Sequence, residues 1–260
     1  KIKEDSKLAY YLQSPSHDVL IDSTASKQLN VDTYLEALLM KMKQKLIASA
    51  IALSAMAGFA VPAAHAEVSA AIGAGNMYYW RGFDLGGGAS VWGDLKYSES
   101  GFYAGIWGGS GDGTMGQEYD LYAGYGGSVG DFKYDLSYWT YSYPKPKSVT
   151  TYLAGVPMDA TPDPLSPGDL AEVVGMIGYG PVAFTYYDDV DSDYTYMTLA
   201  ATFGSFTGKY GKHKDAAAHI DLTYAYNDKL SFTLGKIVDD VDGTVADEVN
   251  FVVGFTLPIK

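Results

Sequence analysis

Residues 118–125 read Glu-Tyr-Asp-Leu-Tyr-Ala-Gly-Tyr. Tyr119, Leu121, Ala123 and Tyr125 alternate one for one with Glu118, Asp120, Tyr122 and Gly124. A repeat of two puts successive side chains on opposite faces of a strand, so this segment has one largely apolar face and one charged face. The pattern recurs on both sides of it. Val91, Gly93, Leu95 and Tyr97 oppose Ser90, Trp92, Asp94 and Lys96. Phe132, Tyr134, Leu136 and Tyr138 oppose Lys133, Asp135 and Ser137. Ile220, Leu222, Tyr224 and Tyr226 oppose Asp221, Thr223 and Ala225, and Val249, Phe251, Val253, Phe255 and Leu257 oppose Asn250, Val252, Gly254 and Thr256. No segment after Ala66 carries an apolar stripe of helical period.

About twelve such runs follow one another, near 68–81, 89–98, 101–109, 117–127, 131–142, 171–179, 181–188, 194–203, 205–212, 218–226, 229–238 and 247–258. Their connectors alternate in length. Tight ones such as Gly127–Gly130, Gly180-Pro181 and Asn227-Asp228 trade places with longer ones such as Phe83–Gly88, Pro144–Leu170 and Asp239–Ala246. Short turns on one side and long loops on the other are the plan of an outer-membrane barrel. The expected fold is all-β: a transmembrane, antiparallel, up-and-down β-barrel of about twelve strands, with both termini on the periplasmic side.

Composition points the same way. The 260 residues include 30 Gly, 23 Tyr, 10 Phe and no Cys. A dry core prefers Phe, because a buried phenol needs a hydrogen-bond partner, whereas abundant Tyr suits a wall that is greasy on one side and wet on the other. Without Cys there is no disulfide framework and no thiolate chemistry. The net charge of −13 argues against a nucleic-acid partner, since no basic stripe is present to neutralise phosphates. A sheet in lipid must close on itself, because the hydrocarbon offers nothing to unpaired backbone groups. A soluble sandwich or lipocalin-like barrel is the rival, and alternation alone does not say which face is inside.

The N-terminal quarter reads differently. Met40 and Met42 are both plausible starts. Lys41, Lys43 and Lys45 make a basic region, Leu46 to Val61 an apolar one, and Ala64-His65-Ala66 a small-residue cleavage signal. The expectation is a signal peptide over residues 40–66, a mature chain from Glu67 to residue 260, and an upstream or non-native extension over 1–39. From Glu67 onward there are 11 basic residues against 25 acidic ones.

Three stretches carry a family resemblance: Tyr78-Tyr79-Trp80-Arg81-Gly82, Gly101–Trp107, and Tyr119–Tyr125 with Asp131–Tyr134 after it. They resemble the Gcw_chp family, also described as TorF-type porins, over most of residues 66–143 and more loosely beyond. Trp80 stands where Phe is more usual. The resemblance implies a Gram-negative outer-membrane barrel with a transport role, and supplies neither a substrate nor catalytic residues. Outer-membrane barrels often end in an aromatic residue that the assembly machinery reads; this chain ends Phe255-Thr-Leu-Pro-Ile-Lys260.

The candidate pore lining is Asp94, Lys96, Glu118, Asp120, Lys133, Asp135, Glu172, Lys209 and Asp221, all on expected lumen faces. Six of these nine are acidic, and such a wall concentrates cations and repels anions. The bland alternative is a sealed interior in which Lys96, Lys133 and Lys209 pair with the carboxylates. Arg81, placed at the end of the first strand, is either a constriction-zone cation or a structural salt-bridge partner, the latter being preferred. Asp188, Asp189, Asp191 and Asp193 form an acidic run; Asp189, Asp191 and Asp193 are weak candidates for Ca²⁺, because the run lacks the glycine turn and distant glutamate of a calcium loop. The long loop 144–170 either folds inward or caps the mouth.

An enzyme is not expected. The mature chain has two His, His213 and His219, read as loop and strand-end residues, and no GxSxG or HExxH motif. No cofactor is expected. The first functional expectation is a passive channel for small hydrophilic solutes, cation-preferring or neutral. The second is a non-conducting barrel acting through its acidic loops, and the third, least favoured, is a barrel hydrolase. The expected partners are outer-membrane lipid and lipopolysaccharide, the barrel-assembly machinery and small solutes; the sequence leaves the oligomeric state open.

Overall fold

The structure, a computed structural model, describes residues 66–259 except 87, 114–115, 147–148, 154–155, 161–162 and 241–247. The extension expected over 1–39 and the signal peptide expected over 40–66 lie outside the described residues, save Ala66. The described residues form sixteen strands and no helix. They are β1 (Glu67–Gly75), β2 (Tyr79–Trp80), β3 (Phe83–Asp84), β4 (Ser90–Glu99), β5 (Phe102–Asp112), β6 (Gly116–Val129), β7 (Phe132–Ser142) and β8 (Val149–Leu153). The rest are β9 (Val156–Ala160), β10 (Ala171–Tyr179), β11 (Val182–Asp189), β12 (Thr195–Phe203), β13 (Phe206–His213), β14 (Ala218–Ala225), β15 (Leu230–Asp239) and β16 (Val249–Ile259).

Twelve of them close into one barrel in the order β1, β16, β15, β14, β13, β12, β11, β10, β7, β6, β5, β4, every neighbour antiparallel. The seam is β1 against β16, with Ala70 opposite Ile259 and Gly75 opposite Gly254. Closure gives every strand two partners, so the sheet has no free edge. The two remaining pairs, β2–β3 and β8–β9, are small hairpins inside connectors.

The alternation that marks the strands also sorts their faces. On the outer wall Ile72, Leu95, Leu136, Ile177, Leu199 and Leu234 are each about half exposed or more. Their neighbours in sequence turn inward. At the tight-turn end the outer wall carries aromatic rings, among them Phe102 packed on Tyr125 at 4.7 Å and Phe206 on Tyr224 at 4.9 Å. The tight turns follow strand twist. Ser100 (φ 50) and Gly101 (φ 89) both take positive φ between the paired residues Glu99 and Phe102, the geometry of a two-residue type I′ turn.

One expected strand needs correction. The run near 68–81 is a strand only to Gly75. Beyond it Asn76 clamps the chain to β16: its backbone N–H and side-chain amide donate to the carbonyls of Val253 and Phe251, and its side-chain oxygen accepts from the Val253 N–H. Residues 78–85 then leave the wall and turn into the lumen, where Tyr78, Trp80 and Arg81 are all under 10% exposed. The short hairpin β2–β3 keeps the two-residue period, which is why it reads as more strand. Its turn is also type I′, with Arg81 at φ 42 and Gly82 at φ 96 between the paired Trp80 and Phe83.

Candidate functional site

The inserted hairpin fills the loop end of the barrel. Arg81 sits at its tip. Its Nη1 and Nη2 donate to the two Glu172 oxygens of β10 at 2.9 and 2.8 Å, a two-pronged bond between planar groups. Tyr141 of β7 donates to the same carboxylate at 2.6 Å. The guanidinium carbon lies 4.6 Å from the ring centre of Trp80 and 4.4 Å from those of Tyr187 and Tyr196. A desolvated cation against ring faces gains electrostatically from the ring quadrupoles. Burial opposes the charge on Arg81, and Glu172 more than offsets it, so the guanidinium is held above its ordinary range. Among the sequence alternatives for Arg81, the salt-bridge partner is the one observed, but its place is the hairpin tip and not the end of a strand.

Two histidines hold the hairpin from the β13–β14 part of the wall. His213, the last residue of β13, meets the backbone carbonyl of Arg81 through Nε2 at 2.9 Å and the hydroxyl of Tyr194 through Nδ1. His219, near the start of β14, meets the Tyr196 hydroxyl at 2.8 Å and Asp221 Oδ1 at 3.0 Å. Asp221 also accepts from the Tyr79 hydroxyl at 2.7 Å and pairs with Lys209 of β13 at 2.8 Å. Both imidazoles are fully buried. Sequence reasoning placed them at strand ends and missed that they face inward. His219 stands two residues before Asp221 in the same alternating run, and that shared phase is the signal that could have placed it.

A second anchor lies across the lumen. Glu118 accepts from Tyr78 of the hairpin at 2.6 Å and from Tyr143 at 2.7 Å. Tyr78 packs with Trp107 and Tyr122, and Tyr122 stacks on Trp139 at 4.2 Å.

All nine expected lining residues do face the lumen, but at two levels. Glu118, Asp120, Glu172 and Asp221 lie in the filled loop end, each 3% exposed or less. Asp94, Lys96, Lys133 and Asp135 lie lower and are half-buried, whereas the half-buried Lys209 stands directly opposite Asp221 in the register of β13 and β14. There Tyr122 donates to Asp94 and Tyr103 to Asp135, each at 2.8 Å, while the Lys96 ammonium sits 5.7 Å over the Tyr103 ring. Among the three lysines, Lys209 forms an ion pair with Asp221 at 2.8 Å, and Lys133 reaches the Gly180 carbonyl at 3.5 Å.

The acidic run is divided by the fold. Asp188 and Asp189 end β11 and so belong to a strand, not to the connector after it. Asp189 is buried and accepts the Asp191 N–H at 3.0 Å, and Asp193 pairs with Lys214 at 3.3 Å. Among the described residues no group of three acidic or histidine side chains could hold a metal ion. Of the long loop, β8 and β9 form a hairpin and Leu165 bridges Tyr143.

These features define a closed twelve-stranded antiparallel barrel with an apolar outer wall and a polar lumen filled at one end by its own first loop. The family described as "Bacterial protein of unknown function (Gcw_chp)" matches residues 59–228, and the chain belongs to it. Comparison with curated protein sequences finds no match.

Proposed function

We propose that this barrel spans the outer membrane of a Gram-negative cell and passes small hydrophilic solutes passively, with a preference for cations or neutral molecules. The observation that carries this reading is the inversion of its faces. Large apolar side chains such as Leu136 and Ile177 stand on the outside, while the carboxylates, lysines and histidines turn inward. A water-soluble barrel would reverse that order, because exposed apolar surface of this extent is unfavourable in water. A wall of ~10-residue strands with an apolar exterior is what lipid demands. The half-buried Asp94 and Asp135 in the lower lumen would favour cations over anions. Lipid and lipopolysaccharide would contact the outer wall, and the barrel-assembly machinery would insert the chain. Transport of this kind needs no catalytic residue.

A second reading has its own observation. The loop end of the lumen is occupied by Tyr78, Trp80 and Arg81, as a permanently sealed structural barrel would be. Cell fractionation and planar-bilayer recording separate the two. A cation-selective current from the purified chain supports the channel. Silence from both the intact chain and a variant with residues 77–86 replaced by a short Gly-Ser linker leaves the sealed barrel.

A further inference from the structure

Arg81 is the only arginine in 260 residues; every other permanently cationic side chain is lysine. The single guanidinium occupies the one place shaped for it. The two oxygens of Glu172 receive two parallel N–H groups, and the rings of Tyr187 and Tyr196 lie against the guanidinium at equal distance. A lysine ammonium presents no planar fork and does not stack, so it would fill this place poorly.

Glu172, Tyr187 and Tyr196 come from β10, β11 and β12, and Tyr141, which orients the carboxylate, comes from β7. None belongs to the hairpin that carries Arg81. The barrel wall alone therefore forms a receptor for a planar cation, and the hairpin supplies its occupant. The hairpin tip is held chiefly through side chains: Arg81 to Glu172, Tyr78 to Glu118, Tyr79 to Asp221, and His213 to the Arg81 carbonyl. A backbone bond also runs from the Gly113 N–H, just past the end of β5, to the Leu85 carbonyl at the base of the hairpin.

We propose that Glu172, Tyr187 and Tyr196 form a guanidinium-binding site in the lumen, that Arg81 fills it as a built-in stopper, and that solutes bearing a guanidinium group compete with Arg81 for it. This deepens the channel reading and rests on it, because competition matters only where solute can reach the lumen. A tethered occupant has the advantage of high local concentration. An external solute gains the site while the hairpin is displaced, and by holding the site it keeps the hairpin out.

The test uses the purified full chain in planar bilayers, with guanidinium chloride at low millimolar concentration against matched sodium chloride. Arg81→Ala should raise the open fraction on the order of a hundredfold, because it strips the partner from a buried carboxylate. Guanidinium, but not sodium, should then block the Arg81→Ala channel and raise its melting temperature. Adding Glu172→Gln should abolish both effects. Arg81→Lys, which keeps the charge, and replacement of residues 77–86 by the linker provide second routes if Arg81→Ala does not fold. Guanidinium should block each of them more strongly than it blocks the intact chain. Equal guanidinium block with and without Glu172→Gln would overturn the site. A silent linker variant would overturn the channel reading itself, whereas a conducting linker variant indifferent to guanidinium would overturn only this inference.

Discussion

Arg81 and Glu172, 91 positions apart in the chain, meet through two parallel hydrogen bonds of 2.9 and 2.8 Å in the filled end of the barrel. The pair is buried on all sides. Removing one member of such a pair leaves an uncompensated charge in a dry place. Glu172→Gln is therefore expected to destabilise the folded barrel by about 3–5 kcal/mol. Tyr141→Phe, which removes one hydrogen bond to the same carboxylate and leaves the ion pair, should cost about 1–2 kcal/mol. Urea unfolding in detergent or lipid, read by tryptophan fluorescence, ranks the two. Equal costs would mean that the ion pair is not what holds the hairpin.

Gly82 is fixed by both conformation and space. Its φ is +96, and a Cβ there would lie 2.8 Å from Cβ and Cγ of the buried His219. Gly82→Ala should cost about 1–3 kcal/mol, as strain at a positive φ usually does, with steric pressure added. Gly130, which has φ +59 with open space around it, is the control. Gly130→Ala should show the smaller loss, since only conformation opposes it. The melting temperatures of the two variants measure the contribution of packing against His219.

Leu234 and Thr233 are neighbours on β15 that face opposite ways. Leu234 is half exposed on the outer wall, and Thr233 shares a hydrogen bond of 2.8 Å with Thr223 inside. If the outer wall faces lipid, Leu234→Lys should cost about 2–4 kcal/mol near the membrane midplane. Thr233→Lys should cost about 1 kcal/mol, the worth of the lost hydrogen bond. Refolding into vesicles gives both values, and the reverse ranking would place water on the outside.

Tyr79 and Tyr194 lie in connectors and are pushed up in pKa, both by burial first. Asp221 adds to the rise at Tyr79, and Arg81 opposes it at Tyr194. A group whose folded pKa exceeds its unfolded value contributes stability that is complete below the unfolded pKa and is lost as the pH climbs above it. For a tyrosine that unfolded value is about 10. The barrel should therefore lose stability above roughly pH 10. Tyr79→Phe should flatten that alkaline decline, and melting curves taken across the range would show it.

The barrel was legible because strands with one apolar and one polar face obey a strict rule. Each strand must alternate, and the expected runs match the observed strands within a few residues, as at Ala171–Tyr179 and Ala218–Ala225. The lumen faces of Glu118, Asp120, Glu172 and Asp221 followed from the same phase. The hairpin was hidden because Tyr78 and Trp80 alternate like wall residues, while only the turn at Arg81-Gly82 betrays a reversal. Arginine is not a usual type I′ residue, so that signal was faint. The meeting of Arg81 with Glu172 and of Tyr79 with Asp221 depends on closure of the whole sheet, which no local pattern encodes.

Asn76 adds a consequence in time. It is clamped to Val253 and Phe251, more than 170 positions later and in the last strand. The hairpin beyond it docks on β10 to β14. The hairpin therefore lodges fully only once strands far later in the chain are in place. If its docking comes last in assembly, an opened or half-built barrel would still have its Arg81 free in water, a difference that a guanidinium-reactive reagent could read.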